Sequence, residues 1–231
     1  MTGASSGIGA AVATRFLEEG WRVLGWDLRP GEDASIAWTA VDISDWDAVA
    51  EASEALPPLQ AAVHCAAIAR LTPIMEMRRE DWDETLAINL NGSFYVARHV
   101  FHALDKADGT LALLSSVNSR NTTRFRAPYN ASKAGVVSLT QALAVEWALA
   151  GSNVRVFAVS PGITRTQQAT MRVEAGAIDE ETLLGRTPTH RWIEPAELGA
   201  AIVRLVGPEF STLHGGNVFL DVGYDAWGGH F

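Results

Sequence analysis

Short apolar runs alternate with amphipathic stretches along the whole chain, and no other feature restricts its fold as much. The runs fall at residues 21–26, 36–41, 61–66, 110–115, 153–159 and 217–220 and are rich in Val, Leu and Ala. They read as strands buried on both faces, as parallel strands are. Amphipathic stretches at 8–19, 46–55, 79–104, 129–150 and 195–206 read as helices between them. That order predicts right-handed βαβ units and one doubly wound, Rossmann-like parallel α/β sheet with helices on both faces. The 231 residues can bury a core as a single domain, 1–231, without a disulfide or metal staple.

A sheet of this kind starts with a central strand that leads into the first glycine turn. Here the turn begins at Thr2, with only Met1 before it. Removing a central strand leaves unpaired backbone groups on both flanks, which is costly. Two readings stand: the natural chain begins upstream of Met1, or something else fills the slot.

Charge narrows the partners. Eighteen Lys and Arg against 27 Asp and Glu give a net charge of -9. So acidic a chain suits neither nucleic-acid phosphates nor anionic membrane surfaces. The longest nearly uncharged apolar stretch, 60–69, is about half of what a membrane span needs. Cys65 is the only cysteine, which excludes a disulfide framework and a cysteine metal site. The N-terminal segment does not read as a signal peptide, so the expectation is a cytoplasmic protein.

The opening Thr2-Gly3-Ala4-Ser5-Ser6-Gly7-Ile8-Gly9 precedes helix-forming Ala10 to Ala13. Glycines at 3, 7 and 9 allow a tight turn and close approach of a pyrophosphate to a helix N-terminus. An ordinary Gly/Ser loop capping a helix reads equally well from the spacing alone. Asp27 favours the nucleotide: it follows an apolar run, 20 residues after Gly7, where a carboxylate bonds the adenosine ribose. A carboxylate there repels a 2′-phosphate, so NAD is expected over NADP; Leu28 follows it, and Arg29 reads as a solvated loop residue. Asp42 has two readings, the adenine edge or the N-cap of the helix that starts near Asp45.

Tyr129 and Lys133 share a helix face, so an ammonium beside the phenol is expected to lower its pKa into acid/base range. Ser116 ends a strand, where parallel sheets gather ligands, and can polarise a carbonyl oxygen. It can equally satisfy strand-end backbone groups. Asn89 lies mid-helix among apolar residues and must find a partner or strain the helix.

Taken together, these residues resemble the short-chain dehydrogenase/reductase family of the compact, single-domain type. The resemblance rests on Thr2–Gly9, Asp42, Asn89, Ser116, Tyr129/Lys133 and Pro161-Gly162, in order, across nearly the whole chain. It implies that Tyr129 exchanges a proton with the substrate oxygen. Lys133 would lower the Tyr129 pKa and bind the nicotinamide ribose, Ser116 would orient the carbonyl, and Asn89 would hold a water linking Lys133 to solvent. The cofactor would run along Gly3, Ser5, Ser6, Gly7, Ile8, Gly9, Asp27, Leu28, Asp42, Ile43, Cys65, Ala66 and Ala67. Pro161, Gly162, Ile163, Thr164 and Thr166 would cover the nicotinamide, with Thr166 on its carboxamide. The family usually shows Asn-Asn-Ala-Gly where this chain has His64-Cys65-Ala66-Ala67, and Ser160 stands where Asn commonly precedes Pro-Gly.

The function so implied is NAD-dependent interconversion of a secondary alcohol and a ketone, on a hydroxy acid, polyol or cyclic diol. The alternative is an NAD-binding regulatory protein with little turnover. A sugar-nucleotide epimerase needs a larger substrate domain, and a 3-oxoacyl reductase would more often take NADPH.

The loop between Ser116 and Tyr129 carries Asn118, Arg120, Arg124 and Arg126. Arg126 either reaches a substrate carboxylate or is solvated loop or subunit-contact charge. The polar stretch 164–192, read as a mobile lid with one weak helix, brings His190, Arg191 and Trp192. His99 and His102 share a face without a third ligand and read as surface residues, and His214 and His230 have no evident partner. The aromatic tail 224–231 and the apolar excess on 129–150 predict a homo-oligomer, tetramer or dimer.

Overall fold

The structure is a computed structural model that describes residues 1–227; residues 228–231, His230 and the end of the aromatic tail among them, lie outside the described residues. The elements are α1 (Gly7–Glu18), β1 (Val23–Asp27), β2 (Ile36–Ala40), α2 (Trp46–Glu54), β3 (Ala61–His64), α3 (Arg79–Leu86) and α4 (Gly92–Asp105). They continue with β4 (Thr110–Leu114), α5 (Ala127–Leu149), β5 (Arg155–Pro161), α6 (Gln167–Glu174), α7 (Glu180–Leu184), α8 (Pro195–Leu205), β6 (Asn217–Leu220) and α9 (Tyr224–Trp227). All strand pairs are parallel, in the order β2-β1 and β3-β4-β5-β6.

Residues 1–3 join these two parts. Thr2 forms parallel bridges with Trp26 on one side and His64 on the other. Trp26 N donates to Met1 O at 2.7 Å, Thr2 N to Val63 O at 3.0 Å, and Cys65 N to Thr2 O at 3.2 Å. The Met1 ammonium donates to Leu24 O at 2.6 Å, and burial pulls it down to about 6. Three residues therefore supply the upper part of the slot expected for a central strand. Beside Met1 a cavity of about 70 Å³ remains, walled by residues that include Phe16, Trp21, Leu59 and Val100.

The central strands β4 and β5 are almost wholly apolar because each of their two faces packs a separate core, whereas β2 at the edge buries only Ile36 fully. Leu111, Leu113 and Val156 point to α2, α4 and α5, where they meet Val49, Val100 and Leu143. Ala112, Leu114, Phe157 and Val159 point to α1 and α8, where they meet Val12, Phe16 and Ile202. Full burial of each large aliphatic side chain contributes about 1.5–3 kcal/mol. Gly199 lets α8 approach α1, since a Cβ there would stand 2.8 Å from Ala11 O.

The sequence suggested one helix over 79–104; the structure breaks it. Ala87–Asn91 forms a π-helical turn between α3 and α4. The wide turn is stabilised by side chains: Ser93 Oγ donates to Asn89 O at 2.6 Å, and Asn89 turns its amide onto another segment. The stretch 164–192 holds two short helices, α6 and α7, rather than one, and neither has a buried residue.

Candidate active site

The carboxyl ends of β1, β3, β4 and β5 open into one cleft of about 580 Å³, a size suited to a cofactor and a small substrate. On its first side lies the glycine turn. Gly9 is dictated by space, because a Cβ there would meet Gly3 O at 2.0 Å. Gly7 has φ +55° and opens toward the cleft, with Thr166 Cγ2 the nearest atom to its missing Cβ at 3.6 Å. α1 has no acidic residue in its first turn and no side-chain cap, so its N-terminal N–H groups can receive an anion.

Asp27 lies beside this turn: its Oδ2 accepts from Ser5 N and its Oδ1 from Arg29 N, both at 3.2 Å. Gly3, Ser6, Gly7, Ile8, Gly9, Asp27, Leu28, Asp42 and Ile43 line the cleft as the sequence suggested. Ser5 does not, and its amide bonds Asp27. Asp42 lines the cleft too, with its Oδ1 accepting from Ser44 N and Oγ. The helix-capping reading of Asp42 is corrected: Asp45 caps α2, accepting from Asp47 N and Ala48 N.

Cys65, Ala66 and Ala67 line the same side. Burial pushes the Cys65 thiol up to about 12, so it is a packing group rather than a nucleophile. His64 is buried, with Nδ1 2.7 Å from Thr2 Oγ1 and no partner for Nε2 among the described residues. Burial, the Lys133 ammonium and the N-terminal ammonium hold His64 down near 3, and it is neutral. Pro161, Gly162, Ile163 and Thr164 line the floor, and Thr166 caps α6 by accepting from Ala169 N.

Ser116, Tyr129 and Lys133 come together at the middle of the cleft. Ser116 follows β4 and its Oγ accepts from Asn118 N at 3.1 Å, which leaves its hydrogen available to another acceptor. Tyr129 and Lys133 stand on the first turns of α5. Lys133 Nζ donates to Leu114 O at 2.7 Å and lies 5.7 Å from the Tyr129 ring centre. Burial lowers the ammonium to about 8, while the nearby Cys65 opposes that fall.

The expected electrostatics need correction here. Burial raises the Tyr129 phenol above its ordinary value, and the opposing influences are the Ser116 hydroxyl and the Arg126 guanidinium, not Lys133.

Asn89 acts at one remove. Its Oδ1 accepts from Ile68 N at 2.8 Å, and its Nδ2 donates to Ile68 O at 2.9 Å and Ser132 Oγ at 3.1 Å. The side chain thus clamps the backbone of the cleft wall to α5.

At the far end, Arg126 and Trp192 line the cleft; His190 does not, and it is exposed with φ +46°. Asn118 lines it but its amide bonds Asn130 and Thr123, bracing the loop. Arg120 pairs with Asp225 at 2.9 Å, Arg124 stacks on Phe125, and Arg191 pairs with Glu197, so none of the three faces the cleft. The loop before Tyr129 and the stretch 164–192 do line this end, and further lining residues, not singled out in the sequence, include Arg172, Arg186, Thr123, Ile178, Leu183 and Tyr224. A signal existed for the arginines: neither has an acidic residue three or four positions away. His214 does have partners, with Nδ1 3.3 Å from Val156 N and Nε2 2.8 Å from Ala144 O, tying β5 to α5. Among the described residues no cluster of His, Cys, Asp and Glu could hold a metal ion, and no helix is long and apolar enough to cross a membrane.

The chain matches, over residues 3–225, the model of a family described as enoyl-(acyl carrier protein) reductase. Galactitol 2-dehydrogenase (L-tagatose-forming) of Cereibacter sphaeroides is 34% identical, over 98% of this chain and 94% of its own length. D-threitol dehydrogenase of Mycolicibacterium smegmatis is 32% identical, over 97% of this chain and 91% of its own length. ElxO with NADP bound shares the fold, with a TM-score of 0.88 at 21% identity and 97% coverage of each chain.

Proposed function

The chain belongs to the short-chain dehydrogenase/reductase family, and on that footing we propose that it is an NAD-dependent dehydrogenase in which Tyr129 is the general acid/base. As a member it is an oxidoreductase that interconverts a secondary alcohol and a ketone. The observation that carries the assignment of roles is the meeting of Ser116, Tyr129 and Lys133 in the cleft that also holds the glycine turn.

The donor set fits a nicotinamide dinucleotide. Gly7 and the open N-terminus of α1 suit its pyrophosphate, and Asp27 suits a ribose diol. When bound, the nicotinamide supplies the hydride chemistry. Ser116 Oγ donates to the substrate oxygen and holds it beside Tyr129. Tyr129 Oη takes the proton from the alcohol or returns it to the ketone oxygen. Lys133, fixed by Leu114 O, keeps a positive charge in a buried site. Because burial holds the phenol high, alcohol oxidation is expected to quicken as pH rises into the alkaline range.

NAD is favoured over NADP because the Asp27 carboxylate would stand against a 2′-phosphate. The segment 164–192 serves as the lid of a single domain, consistent with two helices that bury nothing. Exposed Phe94, Val145 and Leu149 on α4 and α5 support a homo-oligomer, dimer or tetramer. The acidic charge and the single cysteine support a cytoplasmic location.

Tyr129→Phe tests the mechanism. Turnover of polyols is expected to fall by about 10²- to 10⁴-fold, with NADH binding, followed by tryptophan quenching, unchanged. Full activity in the variant refutes the role of Tyr129, and turnover by the unaltered protein excludes a silent NAD-binding regulator.

A further inference from the structure

Arg126, Arg172 and Arg186 converge on the substrate end of the cleft, and no carboxylate among the described residues pairs with any of them. This occurs in a chain with 27 acidic residues against 18 basic ones. Like charges gathered in a partly buried place are unfavourable unless a counter-charge joins them.

Their environment positions them without neutralising them. Arg172 Nη2 donates to Ala69 O at 2.7 Å, on the wall next to the residue that Asn89 clamps. Arg186 Nη1 donates to Thr123 Oγ1 at 3.3 Å, and its guanidinium lies 4.9 Å from the Tyr224 ring centre. Two buried polar atoms in the same place have no partner among the described residues: Arg126 Nε and Tyr224 Oη. Tyr224 is only 2% exposed and lines the cleft. Burial, opposed by Tyr129 but reinforced by the charges of Arg172 and Arg186, pushes the Arg126 guanidinium below its usual value.

We propose that Arg126, Arg172, Arg186 and Tyr224 Oη form an anion subsite for a substrate carboxylate, so that the substrate is a polyhydroxy acid rather than a neutral polyol. The inference rests on the dehydrogenase reading above and deepens it. A carboxylate can accept from a guanidinium through two oxygens and from the phenol at a lone pair left over. The secondary alcohol, farther along the chain, then reaches Ser116 and Tyr129. Sidedness follows: the carboxylate fixes which hydroxyl is presented.

The test compares aldonates with alditols of equal carbon number. The unaltered enzyme is expected to favour the aldonate in kcat/KM, and Arg126→Met or Arg172→Met to shrink that preference about a hundredfold, chiefly through KM. Arg172 lies on α6, which buries no residue, so its variant is expected to fold even if Arg126→Met does not. Calorimetric binding of an aldonate, with and without NADH, gives a readout independent of turnover and should weaken by a similar factor. An aldonate preference that is absent, or unmoved in both variants, overturns the subsite while leaving alditol turnover as evidence for the dehydrogenase. Weaker NADH binding in the variants with selectivity unmoved assigns the arginines to cofactor phosphates and likewise overturns it. Aldonate binding by a protein that oxidises no alcohol keeps the subsite and refutes the dehydrogenase.

Discussion

The two ends of the cleft are built differently. The end beside the glycine turn is made of backbone: a Cβ on Gly9 would collide with Gly3 O, a Cβ on Gly3 with Ala66 N, and the walls are strand ends continuous with two buried cores. The end beside Arg126 is made of long side chains on a loop and on α6 and α7, which bury nothing. Close-packed backbone tolerates little change, whereas exposed helices can exchange side chains at small cost. The first end is therefore suited to recognising a constant partner and the second to selecting a particular one.

Substitutions can break that contrast. Gly9→Val should have the largest effect, since Gly3 and the turn must move; a loss of about 3 kcal/mol or more and of NADH binding is expected. Retained binding, measured by titration alongside a melting curve, would mean that the turn is as adaptable as the far end. Acid offers a second probe of the backbone-built end. His64 is held near 3 when folded and titrates near 6.5 when unfolded, so the unfolded chain binds the proton first. Stability is then full above about 6.5 and falls with pH below it, by about 2 kcal/mol at pH 5 from this group alone. His64→Asn should flatten that decline in denaturant titrations; an unchanged slope would place the acid sensitivity elsewhere. Asp27→Ser sharpens the comparison, because it removes the carboxylate while keeping a hydroxyl where Oδ2 accepts from Ser5 N. A shift of about tenfold toward NADPH is expected in the ratio of dissociation constants. Arg120→Ala should matter least: its pair with Asp225 is exposed, and unfolding should change by no more than about 1 kcal/mol.

The same contrast explains what could be read from the residues. Apolarity located each strand to within a few positions, most clearly at β4 and β5, where double burial leaves a continuous apolar signature. Ser116, Tyr129 and Lys133 do share one cleft. Other features depended on contacts that no local pattern encodes. The break at Ala87–Asn91 goes with the bonds from Asn89 to Ile68, 21 residues away; the sequence marks Asn89 as a residue that must find a partner or strain the helix, but not which partner. Asp45 rather than Asp42 caps α2 because the chain turns once more between them. Residues 1–3 entered the sheet through Trp26 and Val63, which no strand pattern of three residues could signal. Lys133 lies 5.7 Å from the Tyr129 ring centre, while its hydrogen bond to Leu114 O joins residues 19 apart that no local pattern pairs.

The wide turn at Ala87–Asn91 also sets a phase. Each residue in an α-helix advances the side chains by about 100°. One extra residue per turn therefore rotates everything beyond it relative to what precedes it. α3 and α4 need not share a continuous stripe: Thr85 and Asp81 are buried on one, while Val96, Val100 and Leu104 reach the strands from the other. Shortening the segment by a residue would swing that second set away from the sheet, so the length of this turn keeps the wall of the cleft in register with its floor.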